Sequence, residues 1–299
     1  MYEQFYNLSG KPFSLLPDSS FLYLSKRHNR AINLLEYGLI TEAGFVVISG
    51  DVGAGKTTII RRYIKNLGSS VRVGLITNPS QVIGKLMDWV AMAYDIDASD
   101  KDTAVLYHKF VDFLLKVYGE GKRTVLIIDE AQNLSTDQLE ELRMLSNVNN
   151  EKDQLLQIVL LGQPELLATL KKPELRQFVQ RISVHCHLDA LTPVETAGYI
   201  RHRMSVVGGS PEIFDDIACA AVYYFSGGIP RLINLLCDQA LVYGFSEDQK
   251  VISGETIAEV ALDRNRAGLS AFRQVPIGWS VTNLVADIAP YLHQIRTAR

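Results

Sequence analysis

Several things this 299-residue chain lacks narrow what it can be. Its three cysteines, Cys186, Cys219 and Cys237, are an odd number without a C-x-x-C pair, which speaks against a disulfide framework and fits a reducing compartment. Charge of one sign is also missing: 30 basic and 33 acidic residues leave a formal −3, so an indiscriminate nucleic-acid coat is excluded, although a local basic face is not. No apolar run approaches the roughly 18 residues of a membrane span, and the opening MYEQFYNLSGKPF has neither a basic nor an apolar signal region. We expect a cytoplasmic chain with no membrane span. Internal repeats and low-complexity tracts are absent. HCH at 185–187 would set His185 and His187 on one face of a strand, but no further Cys or His cluster stands near enough in sequence to complete a metal shell, so we read strand packing there.

What is present is an ordinary globular composition, 47% hydrophobic and 21% charged, and one sharp motif. In SGDVGAGKTTII, Gly50 and Gly55 bracket Asp51, Val52, Gly53 and Ala54, and Lys56, Thr57 and Thr58 follow directly. The flanks suit a phosphate-binding loop: FVVIS at 45–49 reads as a buried parallel strand, and Ile59, Ile60, Tyr63, Ile64 and Leu67 recur at helical spacing. Glycines let successive amides turn inward, and with the helix N-terminus they make a nest for a triphosphate. Lys56 would reach the β and γ phosphates, and the Thr57 hydroxyl would ligate Mg²⁺.

Around this loop, apolar strands alternate with helices. VRVGLIT (71–77) is a second strand; helices are expected over 82–94 and 103–119; VLIIDE (125–130) is a third strand; a helix through DQLEELRMLSNV leads to a fourth, LLQIVLLGQ (155–163). Such alternation predicts an α/β fold, a parallel P-loop NTPase sheet with helices on both faces. From Thr192 no strand pattern remains, and TPVE opens a helix with a capping threonine, a proline and a glutamate. We therefore expect a nucleotide-binding domain with an aromatic-rich lead at 1–190, a small all-α lid domain at 191–263, and a basic tail at 264–299. That tail holds five arginines against one acid, Asp287, punctuated by Gly and Pro, and reads as a linker with a short appendage.

Binding phosphate is not hydrolysing it. Hydrolysis needs a carboxylate to orient the metal and a group to activate water. Asp129 and Glu130 emerge at the C-terminal end of their strand, where open parallel sheets bind ligands. Asp129 would join Thr57 in the Mg²⁺ shell, and Glu130 would polarise the water.

GDVGAGKTT, VLIIDEAQ, the strand ending LLGQ and the helical stretch GGIPRLIN together resemble the AAA+ ATPases. The lead PFSLLPD…FLYLS and the stretch LLQIVLLGQPEL are similar to the general secretion pathway protein A (ExeA-type) family, over about residues 1–264. The resemblance implies an AAA+ core with a helical lid, ATP and Mg²⁺ as ligands, and the lead beside the adenine. It further implies Gln163 as the polar sensor of the γ-phosphate and the water, Arg231 as a second sensor on the lid, and Arg181 as an arginine finger offered to a neighbouring subunit; Arg176, five residues away, is as suitable by chemistry alone. A guanine-selecting Asn-Lys-x-Asp tetrapeptide is absent, so ATP is expected over GTP.

Three functions fit these readings. The first is an ATP-driven assembly or remodelling factor at the envelope, a homo-oligomeric ring or filament recruited to the inner membrane by a secretion-system partner. The second is a DNA-associated ATPase that regulates transposition target selection, contacting DNA through KRHNR (26–30) or the tail. The third is a slow nucleotide switch.

Overall fold

The computed structural model describes residues 1–16, 18–79, 84–99, 102–149, 153–268, 271–276 and 278–298. Helices α1 (Tyr2–Phe5) and α2 (Lys26–Ile40) precede β1 (Phe45–Gly50) and α3 (Lys56–Asn66). Then come β2 (Val71–Thr77), α4 (Leu86–Ala93), α5 (Thr103–Gly119), β3 (Arg123–Asp129), α6 (Thr136–Leu145), β4 (Leu156–Gly162), α7 (Pro164–Leu170), α8 (Arg176–Val179) and β5 (Ile182–Leu188). The helices α9 (Pro193–Val206), α10 (Asp216–Ser226), α11 (Pro230–Ser246), α12 (Gly254–Arg266) and α13 (Val281–Thr297) complete the chain. Among the described residues no helix is long and apolar enough to cross a membrane.

Two compact units divide these elements. One comprises residues 26–52 and 59–188; the other comprises 1–25, the loop stretch 53–58, and 189–299. In the first, five parallel strands run in the order β2-β3-β4-β1-β5. β1, β3 and β4 are buried along nearly their whole length, as continuous runs of Val, Ile and Leu require, whereas the edge strands β2 and β5 alternate. The expected α/β sheet is thus observed. The helix expected over 103–119 is α5; of that expected over 82–94, α4 forms 86–93, and 82 and 83 lie outside the described residues.

The second unit is helical, and its core draws on Phe13 of the lead, Ile200, Phe214, Phe225, Ile233 and Leu241. The tail is more than an appendage. α13 buries Leu284, Ile288 and Ile295 in this same core, at spacings of four and seven that keep them on one face. Pro290 sits inside this helix, so its ring, which reads in sequence as a break, is accommodated. Asp287 fastens the helix, accepting hydrogen bonds from the Tyr224 hydroxyl at 3.0 Å and from Trp279 Nε1 at 2.8 Å.

Candidate nucleotide site

The loop at the end of β1 turns on two of its glycines. Gly53 and Gly55 take φ of 80° and 100°, values that side chains rarely tolerate, and so bend the chain between strand and helix. Space matters as much as torsion at Gly53: a Cβ there would lie 2.5 Å from the Cβ of Arg231, whose main-chain N–H donates to the Gly53 carbonyl at 3.4 Å. Gly50 is equally confined, since its Cβ would meet the Leu188 carbonyl oxygen at 2.8 Å across the β1–β5 pairing. Lys56 opens α3 and is only 6% exposed, while the intermediate Thr57 and Thr58 follow it into the first turn. Asp51 and Val52 are exposed, and Ala54 is buried.

Because the sheet is parallel, the C-terminal ends of β3, β4 and β1 stand side by side, with Ser49 in register with Gly162. Asp129 closes β3 nearly buried, and one of its carboxylate oxygens accepts the Glu130 N–H at 3.0 Å. Glu130 then adopts a left-handed conformation, φ 56° and ψ 39°, uncommon for a residue with a Cβ. The turn brings its carboxylate against the end of β4: one oxygen accepts from Gln132 Nε2 at 2.6 Å and from Gln163 Nε2 at 3.1 Å, while the Gln163 N–H donates to Gln132 Oε1 at 3.0 Å. Glu130 and Gln163, 33 residues apart, thus share one hydrogen-bonded unit with Gln132. Gln132, in the AQ that follows the acids, has no spacing of its own that marks it in the sequence. Only the reversal at Glu130 shows which way that amide turns.

A second group lies just before the phosphate loop. The fully buried Ser49 Oγ is 3.2 Å from Nε2 of His185 and 2.9 Å from Nδ1 of His187 on the neighbouring strand. The two histidines share a strand face, and burial, followed by the charge on His187, lowers the pKa of His185.

The arginines are distributed unequally. Arg231 is exposed near the start of α11. Arg181 is in the sheet unit, directly before β5, where its Nη1 donates to Ser146 Oγ at 2.9 Å. β5 pairs Ile182 with Phe45 at one end and Leu188 with Gly50 at the other. Arg181 is therefore a full strand, about 20 Å, from the end where β1 opens into the loop. Arg176 begins α8 and is exposed.

The glycine-bent loop follows β1, second from the sheet edge, and the acids close β3, two places further in; these are the stretches that carry the AAA+ resemblance. Comparison with known proteins agrees: residues 40–170 match the family described as AAA domain. The fold is that of Aeropyrum pernix ORC2, at TM-score 0.62 and 17% identity over 89% of this chain and 72% of that one. Cdc6p from Pyrobaculum aerophilum superposes with the same score, at 16% identity over 83% and 71%. The chain is a P-loop protein of the AAA+ ATPase class. Within that class its sequence is similar to the general secretion pathway protein A (ExeA-type) family: it is 41% identical over 260 residues to general secretion pathway protein A of Aeromonas hydrophila. That alignment takes in 85% of this chain and 47% of the relative, so the chain spans about half the relative's length.

Proposed function

We propose that the chain hydrolyses ATP with Mg²⁺ and uses the cycle to drive assembly or remodelling in a secretion or envelope system. The observation that carries the catalytic part is the Glu130–Gln132–Gln163 unit at the C-terminal ends of β3 and β4. It holds a carboxylate in a sparsely populated backbone conformation, and such outliers gather where function requires them. The loop amides and Lys56 would bind the phosphates. The Thr57 hydroxyl and the Asp129 carboxylate are hard oxygen donors of the kind Mg²⁺ takes, and the ion when bound would neutralise charge on the phosphates. Glu130 would accept the proton of the attacking water, Gln163 would orient that water, and Arg231 would report lid closure. The secretion role is supported by the name of the relative, general secretion pathway protein A. The test is ATP turnover with and without Mg²⁺ in wild type and Lys56→Ala.

A DNA-associated ATPase is the second reading, favoured by α2, which opens with Lys26, Arg27 and Arg30 exposed. Duplex binding by that surface should weaken steeply with salt, because phosphate contacts release counterions. Lys26→Glu with Arg30→Glu should then abolish it. Absence of binding by wild type at about 50 mM salt with ATP present would remove this reading.

A further inference from the structure

The helical unit holds a buried cation. Arg203 on α9 is 7% exposed, and a guanidinium taken out of water is costly unless its N–H groups find acceptors. Those acceptors are carbonyls and a hydroxyl: Nε donates to the Pro12 carbonyl, Nη2 to the Ser14 carbonyl at 3.4 Å, and Nη1 to the Tyr199 hydroxyl at 2.9 Å. The rings of Phe21 and Tyr199 lie 4.6 and 5.6 Å from its central carbon, close enough for cation–π attraction. Tyr199 extends the set by donating to Asn234 Oδ1 at 2.8 Å, and Asn234 Nδ2 returns to the Ser14 carbonyl at 3.5 Å. The lead is thereby fixed through its main chain at Pro12 and Ser14 and through the ring of Phe21. Leu15 and Leu16, which follow directly, are 52% and 78% exposed.

Asn234 links this latch to the phosphate loop. Arg231, three residues earlier on α11, is the residue packed on Gly53. Residues three apart on a helix are neighbours on one face, about 4.5 Å apart along the axis. One face of α11 therefore holds the loop at Gly53 and the lead at Ser14 next to each other. Phosphates resting on the loop leave the sugar and base of a nucleotide to extend past it, and the lead is the apolar surface at hand.

We propose that Arg203, acting through Tyr199 and Asn234, is a positioning residue for the nucleobase: it locks the lead so that Leu15 and Leu16 form an apolar wall for the base. This rests on the ATP reading above. It also predicts a separation between base and phosphate recognition that a general loss of stability would not produce.

The test titrates wild type, Tyr199→Phe, Arg203→Lys and Arg203→Ala with ATP and, separately, with inorganic tripolyphosphate, Mg²⁺ present throughout. Tripolyphosphate reports the phosphate loop without a base. Tyr199→Phe removes one hydroxyl and keeps the ring, so it and Arg203→Lys carry the test if Arg203→Ala fails to fold. Tyr199→Phe and Arg203→Ala should weaken ATP about tenfold or more, the cost of a lost charge-assisted hydrogen bond, while tripolyphosphate shifts less than about twofold. Arg203→Lys should recover part of the ATP affinity. Parallel weakening of both ligands, or ATP affinity unchanged in every variant, would overturn the latch while leaving the ATP reading intact. Wild type that binds neither ligand would overturn the ATP reading and the latch with it.

Discussion

Glu130 holds a backbone conformation that costs a residue with a Cβ about 1–2 kcal/mol, and its hydrogen bonds to Gln132 and Gln163 offset that cost locally. An amide at this position keeps the size of the side chain but cannot accept a proton. Glu130→Gln should therefore bind ATP with unchanged affinity and turn over about 10² to 10⁴-fold more slowly, read as phosphate release beside equilibrium binding. Wild-type turnover in that variant would end the water-activating role. Asp129 and Glu130 were legible in sequence because four apolar residues announce a central strand and its C-terminal end is where ligands bind. Gln132 was not legible, because its partners are set by a left-handed residue two positions earlier. Ser49 between His185 and His187 was hidden for another reason: the contact depends on β5 lying beside β1, which no local pattern specifies.

At the scale of elements, the buried strands and the long helices were legible because their hydrophobic periods are unambiguous, as α5 over 103–119 shows. α13 was harder to see. Leu284, Ile288 and Ile295 trace an apolar stripe, but Pro290 and the flanking glycines carry the stronger local signal, and tertiary burial outweighs it. One consequence concerns the basic tail: cutting the chain after Asp263 would strip buried side chains from the helical core, so charge reversal is the cleaner way to probe DNA binding. Another concerns stability. Asp287→Ala removes the acceptor of Tyr224 and Trp279, and should cost about 1–3 kcal/mol, a fall of several degrees in the melting temperature. An unshifted melting temperature would mean that α13 is held by its apolar face alone.

For the whole molecule, the proposal to test is assembly, with Arg181 as the finger that the AAA+ resemblance implies. Arg181 stands a strand's length from the end of β1, and as a finger it would serve the nucleotide of a neighbouring subunit. Such head-to-tail contacts close into a ring or wind into a filament. Specific activity should rise with protein concentration, and Arg181→Ala should bind ATP yet lose about 10³-fold or more in rate. Mixing Arg181→Ala with Lys56→Ala should restore part of it; concentration-independent turnover untouched by Arg181→Ala would rule out the finger. All of this depends on the chain being an ATP hydrolase whose loop lysine grips the phosphates. The most direct test measures phosphate release from ATP across a substrate titration, with Mg²⁺ and with chelator, for wild type and Lys56→Ala. The account predicts saturable turnover by wild type that chelator removes and Lys56→Ala lacks; equal turnover by the two proteins, or none by wild type at any protein concentration, would contradict it.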